Sequence, residues 1–183
     1  MSSPPADDPH VERLARLFRE HPAWKGAARH VSDDSTSRVL FTHRPGERWH
    51  LAREHGESRL LPGDVPDPDF VFRFSPEAID RLAGVEGSVG AFAVELFGLI
   101  VGEDPGARVD LRIAAPFHRL VRRGYVRLLV TSGWRIVAFG ARHSVRSLGQ
   151  LRRLVERLTK HPPEPWEGDG GGDPDGELRP SAR

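Results

Sequence analysis

The chain has 183 residues, 38% of them hydrophobic, a formal net charge of +1 and no cysteine. That length and apolar content predict a single globular domain with its own core, and with no run of eighteen apolar residues and no signal-type N-terminus a cytoplasmic location is expected. The absent cysteines exclude disulfides, thiolate nucleophiles and cysteine metal sites.

Charge is spread unevenly. Counted along the sequence, residues 1–111 hold 13 Lys/Arg and 19 Asp/Glu, residues 112–160 hold 12 and 1, and residues 161–183 hold 2 and 6. The middle block is the one strong electrostatic signal in the chain.

Residues 1–8 lack periodicity and are expected to be disordered. Asp8 can then cap a helix with Pro9 at its first position; Val11, Leu14, Leu17 and Phe18 fall on one stripe, and Pro22 is expected to stop it. From 37 to 74 the period changes to two, in SRVLFTH, RWHLARE, ESRLL and DFVFRF, which read as four strands of a meander. Trp49 and Leu51 share one face of the second strand. Phe70, Phe72 and Phe74 share the inward face of the fourth, with Val71 and Arg73 facing away.

Ser75, Pro76 and Glu77 give the next helix a cap, a first-turn proline and a charge suited to its dipole, and Phe74 can staple onto Ile79. Leu82 continues that face, and Gly84 ends the helix. VGAFAVELFGLIV places Phe92, Leu96 and Leu99 at helical spacing, although FGLIVG could also be a strand. RVDLRIA alternates again and aligns Val109, Leu111 and Ile113 in a last strand. Pro116 opens a mostly helical region, ended by a helix with a Ser147/Gln150 capping box, an apolar stripe (Leu151, Leu154, Val155, Leu158) and Pro162. Residues 162–183, a mixture of Gly, Pro and acids, are expected to be disordered. The layout is α+β, with a helix layer on one face of the sheet.

No catalytic constellation stands out. The nine histidines show no metal-binding pair on one helical face, no serine sits in a nucleophile elbow, and Gly84, Gly87 and Gly90 fit neither phosphate-loop spacing. No catalytic residue, metal or cofactor is therefore assigned. Arg122, Arg123, Arg127, Arg152, Arg153 and Arg157 lie on helices with apolar opposite faces, a pattern of interfacial as well as of plain surface helices. They are candidates for docking to an anionic membrane surface or an acidic protein; nucleic acid is disfavoured because no reader motif accompanies them.

Trp49 and Leu51, Gly63, Pro68-Asp69 with FVFRFSPEAIDRLAG, then AFAVELFGLIVG and VDLRIA resemble, over roughly residues 10–130, the sterol carrier protein type 2 family of lipid-binding domains. The resemblance implies a twisted, mostly antiparallel five-stranded sheet whose helices enclose an apolar pocket. It implies a lipid-binding domain over residues 9–161, with a basic helical extension from about 131 to 161 in place of the family's short final helix. Its implied ligand is a lipid, fatty acyl, sterol-like or polyprenyl or quinone intermediate, bound without catalysis. Phe70, Phe72 and Phe74 are then the expected floor, Ile79, Leu82, Phe92, Leu96, Leu111 and Ile113 the walls, with Trp49 and Leu51 alongside. The alternative is a scaffold protein in which the same residues fill a core and the arginine-rich helices bind an acidic partner.

Overall fold

The computed structural model describes residues 8–102, 104 and 106–127. Its elements are α1 (Pro9–Glu20), α2 (Pro22–Ala28), β1 (Thr36–Phe41), β2 (Trp49–Glu54), β3 (Glu57–Pro62), β4 (Phe70–Phe74), α3 (Pro76–Ala83), α4 (Val89–Val101), β5 (Val109–Ile113) and α5 (Phe117–Arg122). Residues 1–7, the basic extension from about 131 and the acidic tail, including Arg152, Arg153 and Arg157, lie outside the described residues.

The caps anticipated from the sequence form. Asp8 accepts from the amides of His10 (2.8 Å) and Val11 (3.3 Å), and Val11, Leu14, Leu17 and Phe18 are the buried stripe of α1. Each such side chain removed from water contributes about 1.5–3 kcal/mol. Pro22 ends α1 as expected, but it also begins α2, which the sequence reading did not anticipate. A proline is tolerated at the first helical position because the amide it lacks has no intrahelical partner there. Gly26 lets α2 approach α4: a Cβ at that position would stand 2.9 Å from Val89 Cγ2.

The sheet is five-stranded in the order β3-β2-β1-β4-β5. Only its first three strands form a meander, which corrects the expectation of four. β4 returns to the far side of β1 and pairs parallel to it, from Ser37↔Phe70 to Phe41↔Phe74; the other pairings are antiparallel. The proline-rich connection makes this return. Within it Asp64 accepts from Arg38 Nε (2.6 Å) and Arg48 Nη1 (2.7 Å), while the Asp69 amide donates to the Thr36 carbonyl (2.8 Å).

Residues directly paired across strands share a face, so the register sorts the side chains. Val39, Trp49, Phe72 and Leu111 lie on one face, with Phe41, Phe74 and Val109 above and Leu51, Ser37, Phe70 and Ile113 below. Against this face pack Leu14 and Leu17 of α1, Ala78, Ile79 and Leu82 of α3, and Phe92 and Leu99 of α4, forming the core. The opposite face carries Arg38, His50, Arg73 and Arg112. FGLIV is helical, as the end of α4.

Ser75 fixes the corner after β4. Its hydroxyl accepts from the amides of Ala78 (3.2 Å) and Arg108 (3.1 Å), so one side chain caps α3 and holds the entry of β5. Phe74 and Ile79 meet in the core beneath it.

Candidate apolar binding site

The phenylalanine stripe is divided by burial. Phe74 is 3% exposed and belongs to the core with Ile79, Leu82, Phe92 and Trp49. Phe72 is only half-buried at the core margin. Phe70 packs in a separate cluster with Ile113, Ala115, Leu120 and Tyr125.

Half-buried apolar side chains therefore lie on either side of β1, whose own Ser37 and Val39 are buried, across the lower part of the helix-covered face. Leu60 pairs with Leu51, Leu51 with Ser37, Ser37 with Phe70 and Phe70 with Ile113. Phe72 and Leu111 lie one step along the strands, and Leu96 of α4 is half-buried at the core margin. Of the residues expected as floor and walls, Leu51, Phe70, Phe72, Leu96 and Leu111 are thus only partly enclosed. Trp49, Phe74, Ile79, Leu82, Phe92 and Ile113 are packed inside.

Aromatic rings connect these regions. Tyr125 stands edge-on to Phe70 at 4.8 Å between ring centroids, Phe70 follows Phe72 at 5.9 Å, and Phe72 stacks on Phe74 at 5.8 Å. Phe74 then meets Phe18 at 6.5 Å, Phe18 meets Trp24 at 4.7 Å, and Trp24 meets Phe92 at 6.2 Å. Offset and edge-to-face pairs in this range add about 0.5–1.5 kcal/mol each beyond their area. Phe18, Trp24 and Tyr125 were not expected at the site. Phe18 was legible as a core residue of α1; Trp24 lay past the point where helix was expected to end.

Phe18 and Trp24 also lie under an open cleft of about 260 Å³ between α2 and the β2–β3 turn, rimmed by Lys25, Arg29 and Glu57. Ser58 lines this cleft and precedes Leu60 by two positions, on the same strand face. The cleft therefore opens beside the β3 end of the half-buried row. None of the eleven residues expected to contact lipid lines the cleft itself.

At the other end, Asp69 is 0% exposed. Its carboxylate accepts from Arg123 Nη1 (2.6 Å) and the Tyr125 hydroxyl (3.0 Å), with Arg119 Nε at 3.4 Å. Arg119 also pairs with Asp67, and Arg123 with Asp34. The Asp67 carboxylate is held below its usual range by the hydrogen bond from Arg119. Burial pushes the Tyr125 hydroxyl up, and the neighbouring Asp69 charge adds to the shift. Of the arginines expected to dock, Arg122 and Arg127 are exposed. Arg123 is turned inward instead, because a buried carboxylate needs its charge and hydrogen bond.

A second buried carboxylate, Asp110, accepts from Arg73 Nε (2.7 Å) and Arg108 Nη2 (3.0 Å) on the opposite sheet face. Among the described residues no cluster of three or more His, Cys, Asp or Glu could hold a metal ion. Nor is any described helix long and apolar enough to cross a membrane.

The fold and site define an α+β domain with a half-enclosed apolar row between its sheet and helices. No protein-family model matches the chain, and no curated protein sequence does. Among solved structures it is similar to a UbiJ-SCP2 ubiquinone synthesis protein, at 16% identity over 72% of this chain and 95% of that one, with a TM-score of 0.42. It is also similar to a conserved hypothetical protein from Thermus thermophilus, suggested to be a sterol carrier protein, at 15% identity over 85% and 90% of the two chains and a TM-score of 0.35. A MycE methyltransferase of mycinamycin biosynthesis matches at 13% identity over 69% of this chain and 41% of that one, with a TM-score of 0.29. The resemblance to sterol carrier protein type 2 domains read in the sequence is met again here; the fold class itself stands on the strand order and registers above.

Proposed function

We propose that the chain binds a hydrophobic ligand, such as a lipid, a fatty acyl chain, or a sterol-like or polyprenyl or quinone intermediate, and holds or transfers it without catalysis in the cytoplasm. The observation that carries this reading is the half-buried row Leu60, Leu51, Phe70, Phe72 and Leu111, beside a cleft floored by Phe18 and Trp24. A row of large apolar side chains left partly open on a helix-covered face favours an apolar occupant, which would remove their remaining surface from water.

The cleft is slightly smaller than the roughly 300–1,000 Å³ usual for small-molecule pockets. A bound chain would have to extend from it along the row, with α2 and α4 shifting to admit it. Lys25 and Arg29 at the rim suit an anionic head, such as a carboxylate or phosphate. Asp69 and Asp110 support binding over catalysis, since each is held by arginines in an ion pair that serves the fold. Selectivity is expected to be broad, because apolar contact discriminates only about 1–3 kcal/mol per methylene.

The test is equilibrium titration with a fluorescent long-chain fatty acid. Saturable binding at one ligand per chain, displaced by unlabelled apolar compounds, is the expected result. Titration that never saturates would overturn the proposal.

A further inference from the structure

At the junction of α1 and α2 two buried polar atoms have no hydrogen-bond partner among the described residues: the indole Nε1 of Trp24 and the Nδ1 of His21. Trp24 lines the cleft and packs on Phe18, at 4.7 Å between ring centroids. Both rings also meet Phe92 of α4, His21 at 5.3 Å and Trp24 at 6.2 Å. The two unpaired atoms therefore belong to neighbours around one buried aromatic ring, beside the apolar cleft.

Their hydrogen-bonding roles are complementary. An indole nitrogen can only donate. His21 Nε2 stands 2.8 Å from the Val85 carbonyl oxygen, which can only accept, so Nε2 carries the hydrogen and Nδ1 of the neutral ring is left an acceptor. A buried donor and a buried acceptor left unpaired penalise this closed arrangement and favour one that satisfies both. α2 is built to give way: it is seven residues long, and its N-cap residue, His21, makes no side-chain capping bond, its ring being turned to Val85.

Resting on the ligand-binding reading above, we propose that Trp24 and His21 form a hydroxyl-recognition subsite, so that the preferred occupant is an apolar molecule bearing an uncharged hydroxyl, an alcohol or a phenol. Once α2 shifts to admit the ligand, the hydroxyl oxygen accepts from Trp24 Nε1–H and the hydroxyl hydrogen is donated to His21 Nδ1. A carbonyl or ether oxygen would satisfy Trp24 and leave Nδ1 unpaired. A carboxylate would set its charged oxygens against the Nδ1 lone pair among Phe18 and Phe92, and therefore belongs at the rim with Lys25 and Arg29. Selectivity would thus be broad for chain length and narrow for the polar group, because a ligand that leaves buried polar atoms unpaired is rejected more sharply than one that differs by a methylene.

The test sets 1-dodecanol against its isomer 1-methoxyundecane, each competing with the fluorescent fatty acid on the full chain. An apolar site alone would favour the ether, the less polar of the two. The subsite is expected to reverse that order, with the alcohol bound about tenfold tighter (~1.4 kcal/mol). In His21→Gln the amide nitrogen can still donate to the Val85 carbonyl but nothing stands at Nδ1, so the preference for alcohol should disappear. The indole Nε1–H proton resonance of Trp24, assigned by its loss in Trp24→Phe, should move downfield when the alcohol binds. Equal or weaker binding of the alcohol, a preference that survives in His21→Gln, or an indole resonance that stays in place with alcohol bound would each overturn the subsite and leave ligand binding intact; the first and third are read on the parent chain. If neither compound nor the fatty acid binds saturably, the ligand-binding reading fails and the subsite with it.

Discussion

Phe72 and Phe74 stack at 5.8 Å between centroids on one face of β4, yet their truncation should have opposite signatures. Phe74 is fully enclosed by α1, α3 and the neighbouring strands. Phe74→Ala removes buried area and leaves a cavity, at a cost of about 3–5 kcal/mol; against a domain stability of about 5–15 kcal/mol, Phe74→Leu is the safer variant to carry alongside. Phe72 already keeps part of its ring in contact with solvent, so Phe72→Ala should cost roughly half as much stability. It also removes surface from the row that the ligand would cover, and a contact of about 1.4 kcal/mol corresponds to a tenfold weaker dissociation constant. Urea unfolding and fluorescent fatty-acid titration on both variants decide the matter. The expected pattern is a large stability loss for Phe74 and a large affinity loss for Phe72. Equal stability losses, with affinity unchanged in Phe72→Ala, would refute the division of the stripe into core and site.

Three further outcomes follow from the lower end of the sheet. Asp69→Asn should destabilise the chain by about 1.5–3 kcal/mol in urea, because it removes the charge that accepts from Arg123 and Tyr125 while Arg123 keeps Asp34; a loss well under 1 kcal/mol would show that the network does not hold α5. Burial and the Asp69 carboxylate raise the Tyr125 hydroxyl above its ordinary value, so the folded state retains that proton more tightly than the unfolded chain. Its stability contribution is then intact below about pH 10 and falls as pH rises beyond it. Tyr125→Phe should flatten the decline of the urea midpoint over that alkaline range, and parallel declines would contradict the reasoning. Gly124 has φ +86°, and a Cβ there would lie 1.9 Å from the His30 carbonyl oxygen. Gly124→Ala is therefore expected to cost more than about 1 kcal/mol and to disturb the bond from the Ser32 amide to the Arg123 carbonyl; an unchanged urea midpoint would contradict it.

Much of this arrangement was legible in the sequence because it is periodic or punctuated. The Asp8 and Ser75 caps are local hydrogen-bonding signals. The alternation of Phe70, Phe72 and Phe74, and of Val109, Leu111 and Ile113, fixed a shared face before any pairing was known. The features that escaped depend on contacts between distant residues. Nothing in PGDVPDP says that β4 will cross to the far side of β1; that needs Asp64 to find Arg38 and Arg48. α2 is seven residues long with a glycine inside it and gains its stability by packing on α4, so its own propensity gave little warning. Arg119 and Arg123 are four positions apart and therefore share a helical face, but the sequence alone assigns that face to solvent. Only Asp69, buried at the start of β4, turns it inward. The half-open state of Phe72 was equally invisible, because alternation tells which face a side chain takes and not how fully that face is covered.

The most direct test of the central claim is native mass spectrometry, with organic extraction, of the chain purified from cells without detergent. The account predicts a co-purifying lipid, polyprenyl or quinone-like mass at close to one per chain, lost or reduced in Phe72→Ala. A clean ligand-free mass, together with no thermal shift on adding long-chain apolar compounds, would contradict it and return Phe70 and Phe72 to the margin of an ordinary core.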